Sequence, residues 1–338
     1  MKTFSKILLL TGVMLTSTAF AQERTRVQSD ALPRATMMDI YVTGGNQAAV
    51  QFKMSKDGGI QQLPLAQFKY FYMFEPEDFQ SAMESYQNDN FREAKAKFGK
   101  VKTRLAAMQG LPDNYSQEAA LYELDSAIRL LDWASVKTLC DSFPKQVPLI
   151  ADEAQELEVN QLFAKLADNS YDALLADTQK MLADKKKWTL SQLGRIYYIL
   201  GVAQAAKNQP EALDSLAVPV VASHGGEKEL AASAILTSLD ILLKNDKVVA
   251  FMKSVPSSST VAQKSKAPLE LKEAAALAYF YKNILCPDRV LNPKYDALLA
   301  YYTTPSARQA KPATPAPATA APATTPAAPA PAPAPAKK

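Results

Sequence analysis

This chain is poor in the residues that enzymes most often gather at their centres. It has one histidine, His224, in a Ser-His-Gly-Gly stretch, and two cysteines, Cys140 and Cys286, among 338 residues. A single histidine without clustered cysteines excludes the His-rich zinc sites. No Gly-x-Ser-x-Gly elbow presents a nucleophile, so His224 reads as an ordinary loop histidine rather than part of a triad. The glycines form no phosphate cradle: Gly44-Gly45-Asn46 and Asp57-Gly58-Gly59 carry hairpin-turn chemistry. Carboxylates at helical spacing, such as Asp152 and Glu156, read as a solvated face. The sequence therefore points to no catalytic residue, no metal and no cofactor. A carboxylate pair of the glycosidase kind is the one enzymatic alternative.

Basic charge is also scarce where it would matter. The formal net charge is +4, but Lys2 and Lys6 near the start and Arg308, Lys311, Lys337 and Lys338 near the end carry six of the positive charges, leaving −2 for residues 22–304. Nucleic acid, which needs a basic surface, is thereby set aside. No later apolar run reaches the roughly 20 residues of a membrane span.

Residues 1–21 read as a signal peptide: Lys2 and Lys6 precede the apolar run Ile7–Met14, and Ala19-Phe20-Ala21 supplies the small-residue cleavage pattern. No cysteine follows the cut, so the expected product is exported to the periplasm or cell envelope without a lipid anchor. Residues 22–37, with mixed charge and no periodicity, are expected to be a flexible lead-in. Residues 305–338 are almost entirely Pro, Ala and Thr, which cannot bury enough to offset their ordering entropy, and are expected to be a disordered, extended tail. Export permits a disulfide. Cys140, on an apolar stripe with Leu139 and Phe143, suits a buried thiol; a bridge to Cys286 is the alternative.

Residues 38–75 have the marks of a small β-module. Ile40–Val42, Ala49–Met54 and Ile60–Leu65 are strand candidates separated by Gly-rich turns. A fourth, Phe68–Phe74, sets Phe68, Tyr70, Tyr72 and Phe74 on one face and Phe71 and Met73 on the other. That aromatic stripe is expected to pack on the first helices, since a meander of this size is marginal alone. The turn spacing and Leu63-Pro64-Leu65 resemble the SH3-like or Sm-like barrels that precede helical repeats in exported bacterial proteins.

From residue 76 to 304 the pattern is helical and repeats. Phe79, Ala82 and Tyr86 mark one helix, Asn88-Asp89-Asn90 a turn, and Phe91, Ala94, Phe98 and Val101 a second helix. Equivalent turns fall at Leu131-Asp132-Trp133, Asn169-Ser170-Tyr171, Asn208-Gln209-Pro210 and Asn245-Asp246-Lys247, about 37 to 42 residues apart. A last helix at Leu269–Leu285 stops before Pro287, and Tyr295–Tyr302 reads as a short closing helix. The expected fold class is mainly α: an antiparallel helix-pair solenoid with an N-terminal β-module and a tail.

The first hairpin, with small Ala82 and bulky Tyr86 followed by the Phe91, Ala94, Phe98 spacing, resembles a tetratricopeptide repeat. The likeness covers roughly residues 76–255. Val136, Leu174 and Leu213 stand where that family prefers alanine, and the period exceeds its 34 residues, so HEAT-like pairing is the alternative. The resemblance implies a concave groove lined by the first helix of each pair, able to hold a protein or peptide partner. Its groove positions fall on Asp125 and Arg129 in the second hairpin, Glu156 in the third, and Arg195 with Tyr198 in the fourth. The expected role is a non-enzymatic interaction scaffold of the envelope. A passive, self-associating structural component and a glycan-active enzyme on the same scaffold are the alternatives.

Overall fold

The computed structural model describes residues 21–33, 36–144, 149–184, 186–223 and 227–302. Most of the expected leader, the connector Lys145–Pro148, His224 and the tail 305–338 lie outside the described residues. The chain is mainly helical, with a small antiparallel sheet on its N-terminal side.

The sheet has five strands, β1 (Glu23–Gln28), β2 (Met38–Gly45), β3 (Ala49–Lys53), β4 (Gln61–Pro64) and β5 (Tyr70–Met73), in the order β4-β3-β2-β1-β5. The expected lead-in 22–37 is thus corrected at its start, where β1 lies between β2 and β5. The strand alternates, with Glu23, Thr25 and Val27 inward and Arg24 and Arg26 outward. Its inward glutamate hides the pattern from a hydropathy reading, and Glu23 is tolerated inside because Arg104 donates to it.

The aromatic strand also differs from expectation. Phe71 and Met73 turn inward, whereas Tyr70 and Tyr72 face solvent and stack on each other at 6.5 Å. Arg24 and Arg26, both bound to Asp39, lie over Phe74 at 4.9 and 5.2 Å. Tyr70, Tyr72 and Phe74 are therefore on the outer face of the sheet, while Phe68, just before the strand, packs on the core edge-on to Phe52 at 6.1 Å. Val27, Ile40, Val42, Val50, Phe52 and Met73 of the inner face share one core with Phe79, Ala82, Phe98 and Val101. The boundary at 75/76 separates strands from helices but does not separate cores.

Ten helices follow in pairs: α1 (Glu77–Gln87) with α2 (Phe91–Arg104), α3 (Tyr115–Arg129) with α4 (Trp133–Asp141), α5 (Ala151–Ala167) with α6 (Tyr171–Ala183), α7 (Leu190–Ala206) with α8 (Ala212–Ser223), and α9 (Lys228–Leu242) with α10 (Asp246–Ser254). The first four turns share one geometry. Asp89, Leu131, Asn169 and Asn208 take left-handed φ values of 58°, 55°, 55° and 54°. The next residue in each case donates its N–H back to a carbonyl five residues earlier: Asn90 to Ser85, Asp132 to Ala127, Ser170 to Lys165 and Gln209 to Gln204. This is the Schellman stop, which satisfies the last carbonyls of one helix while reversing the chain. The fifth turn is different: Asn245 has φ −71° and its side chain caps α10 by accepting from the Lys247 N–H.

A short turn, α11 (Val261–Lys264), leads to α12 (Leu269–Phe280), which runs on through a wider turn at Tyr281–Leu285. The one-turn helix α13 (Pro293–Asp296) continues as a 3₁₀ turn over Ala297–Tyr301, whose Leu298 and Tyr301 close the core of the last pair. Close crossing within a pair depends on small residues. At Gly201 of α7 a Cβ would stand 2.7 Å from Leu216 Cγ and 3.0 Å from the Leu216 backbone nitrogen on α8.

Candidate functional site

Helices α3, α5 and α7 each carry a polar stripe at spacings of three and four. On α3 it is Glu118, Tyr122, Asp125 and Arg129; on α5 it is Glu153, Glu156 and Asn160; on α7 it is Ser191 and Arg195. Such residues share one helix face. Helices α3, α5, α7 and α9 each touch the next, and α9 also touches α3, so the stripes face one another around a common centre.

Arg195 occupies that centre and is 1 % exposed. Its Nε donates to Glu227 Oε1 at 2.7 Å, and its Nη1 donates to Glu156 Oε1 at 2.5 Å and Asn160 Oδ1 at 2.6 Å. Its Nη2 donates to Asp125 and also lies 2.6 Å from Glu227 Oε1. One guanidinium thus joins α3, α5 and α7 to the residue that starts α9. A planar donor fork can serve several acceptors at once, which an ammonium cannot do with the same geometry.

A second arginine completes the network. Arg129 Nε donates to Asp125 Oδ2 at 2.7 Å, and its guanidinium lies over the Tyr86 and Phe91 rings at 5.3 and 5.1 Å. The Tyr86 hydroxyl donates to Asp125. Burial alone would raise the Asp125 carboxyl, but Arg195, Arg129 and the Tyr86 hydroxyl outweigh it and hold the group at about 2. Burial, then the adjacent Asp125 charge, pushes the Tyr86 hydroxyl far up, so it remains a donor.

The network does not neutralise itself. Asp125, Glu156 and Glu227 face Arg129 and Arg195, three carboxylates against two cations. Glu227 Oε2 and Asn160 Nδ2 are buried without a partner.

Beside the network opens a cavity of about 360 Å³. Tyr86, Leu121 and Tyr122 form part of its wall, and Asp125, Arg129 and Arg195 border it from the network side. Glu118, Asp152 and Glu153 also line it. Half-buried Glu118 is pushed up to about 7, first by burial and then by the negative charges of Glu153 and Glu75. Burial and the Glu118 charge raise the Tyr122 hydroxyl.

Of the residues expected to line a groove, Asp125, Arg129, Glu156 and Arg195 are brought together, but mainly as an internal network. Arg195 is sealed in. Tyr198 is 4 % exposed, stacks near Phe163 at 6.3 Å and shares a hydrogen bond with Ser233 at 2.9 Å, so it is a core residue between pairs. Sequence reasoning missed Glu118, Glu153 and Glu227. The first two are legible as one more turn of the stripes on α3 and α5. Glu227 precedes its helix and carries no such signal.

Both cysteines are buried free thiols. Cys140 packs with the core of the middle pairs, where burial raises it to about 11. Among the described residues no group of three or more His, Cys, Asp or Glu is arranged to hold a metal ion, and no helix is long and apolar enough to cross a membrane. Comparison of the chain with family models, with curated proteins and with solved structures found no match.

Proposed function

We propose that this chain is a tetratricopeptide-like helical solenoid that acts as a non-enzymatic interaction scaffold in the bacterial periplasm or cell envelope. The observation that carries the reading is the convergence of four first helices on one face, beside a half-apolar cavity bordered by α1, α3, α5 and α7. Helix-pair arrays use that inner face to hold extended segments of other proteins. The leader-like pattern of residues 1–21 supports export, and the Pro/Ala-rich residues 305–338 suit a spacer or an envelope contact.

The test is capture from detergent-solubilised envelope with the mature chain, with and without residues 305–338, and with Leu121→Arg to block the cavity. A partner retained without the tail and lost on blocking supports recognition at the inner face. A partner lost with the tail makes the helical body a spacer, and recovery of the chain alone favours a structural component.

One observation favours a second reading. Glu118, raised to about 7, lies near Glu153, the arrangement of a proton donor beside a charged carboxylate in glycan hydrolysis. Release of reducing ends from peptidoglycan, abolished by Glu118→Gln, would establish that activity in place of simple binding.

A further inference from the structure

The carboxylates of the cavity are on the wrong side of their own charge balance. Among the described residues Glu118 and Asp152 form no ion pair, and Glu153 accepts from the Ile150 N–H. Glu75 stands close enough to raise Glu118 further. Behind Ser191, which lines the cavity and donates to Glu227 Oε1 at 2.8 Å, Glu227 Oε2 is buried and unpartnered. Acid excess therefore exists both in the cavity and in the buried network beside it.

Arg129 and Arg195, the cations bordering the cavity, are already engaged by Asp125, Glu156 and Glu227. Apolar wall is present too: Leu121 and the Tyr122 ring can take a hydrocarbon stem. The chemistry that fits is a compact positive charge on an aliphatic arm, since no carboxylate group here is arranged to hold a metal ion among the described residues.

We propose that the cavity is the recognition pocket for a lysine side chain presented by an extended segment of the partner protein. The stem packs on Leu121 and Tyr122, and the ammonium meets Glu118 and Glu153. This deepens the scaffold reading and rests on it. Charge complementarity selects the occupant: an acidic residue at the same position would add to the five carboxylates that line the cavity, Glu118, Asp125, Asp152, Glu153 and Glu156, and an apolar one would leave Glu118 buried among like charges. Binding is linked to protonation. The approaching ammonium favours ionised Glu118, opposed by Glu75, Asp125, Asp152, Glu153 and Glu156 and assisted by Arg129 and Arg195, so affinity rises as pH climbs through about 7.

The test uses the folded chain and two capped pentapeptides, acetyl-Ala-Ala-Lys-Ala-Ala-amide and the same peptide with norleucine in place of lysine, followed by NMR of the Leu121 methyls and the Glu118 side-chain carboxyl. The expected result is saturable shifts with the lysine peptide and at least tenfold weaker ones with norleucine. Binding should weaken about tenfold in Glu118→Gln or Glu153→Gln, each checked for unchanged circular dichroism. It should also weaken in 0.5 M salt, and the lysine peptide should lower the titration midpoint of Glu118. Equal binding of both peptides, no binding up to millimolar concentration, or binding unaltered in both glutamine variants overturns the proposal. An envelope partner captured equally by wild type and Glu118→Gln would overturn it while leaving the scaffold reading intact. Lysine-peptide binding with no partner captured would do the reverse. If binding appears only after residues 305–338 are removed, the chain's own Lys337 and Lys338 are the occupant, which overturns the assignment to a partner.

Discussion

Arg195 on α7 and Asp125 on α3 are ion-paired in the interior although 70 residues separate them in the chain. With Glu156 and Glu227 bound to the same guanidinium, the contact closes four consecutive first helices around one side chain. The facing sides of these helices are therefore sealed around Arg195, and the cavity lies beside that seal.

Removing the fork should be costly. Arg195→Ala strips Asp125 of one of its two cations and leaves Glu227 buried with the Ser191 hydroxyl as its close donor, and the expected loss is about 3–5 kcal/mol in urea unfolding. Arg195→Lys should recover only part of it, because an ammonium cannot reach all the acceptors in their present places. A loss below about 1 kcal/mol would mean the network is not structural.

Acid should reach the same network. Asp125 sits at about 2 in the folded chain against an ordinary 3.8, so its contribution is fully present above pH 4 and is lost as pH falls through 2. The linked stability is about 2 kcal/mol. Wild type and Asp125→Asn should therefore differ most in urea midpoint at pH 5, and the difference should shrink as pH falls below 4 towards 2.

Glu118 has the opposite sign. Its folded value of about 7 lies above the ordinary 4.5, so the stability it confers is full below pH 4.5 and is lost as pH rises through 7. Glu118→Gln should melt with the wild type at pH 4.5 and above it at pH 8. Identical melting differences at the two pH values would contradict the raised carboxyl.

The crossing of α7 on α8 should resist even a methyl group. Gly201→Ala improves helix propensity by about 1 kcal/mol, yet its Cβ would meet Leu216 side chain and backbone at 2.7 and 3.0 Å. The expected net effect is a loss of about 1–3 kcal/mol, read as a fall in Tm. Gly201→Ala with Leu216→Ala should not restore it fully, since the Leu216 nitrogen remains.

The turns should behave in the reverse way. Exposed Asn208, with φ 54°, sits where glycine has no steric cost. Asn208→Gly should leave stability unchanged or raise it by up to about 1 kcal/mol, whereas Asn208→Val should lower it by about 1–2 kcal/mol.

Local chemistry made much of this architecture readable in advance. The Asn- and Asp-bearing turns at 89, 169 and 208 reverse the chain because those side chains tolerate the left-handed conformation, and the apolar stripes flanking them set the helix pairs. Even Leu131, a poor residue for that conformation, was legible from the spacing of its neighbours. β1 was not, because Glu23 faces inward and its compensating partner, Arg104, lies 81 residues away. Asp125, Arg129, Glu156 and Arg195 could be placed on like faces of their helices from spacing and the repeat resemblance. Whether those faces would line an open groove or close on each other was decided only by tertiary structure. The angle between one pair and the next is set by contacts between pairs, such as Phe163 on α5 against Tyr198 on α7, and no local stretch of sequence encodes it. Helices and turns arise from short-range preferences within each segment, but a buried guanidinium shared by four helices exists only once all four are in place.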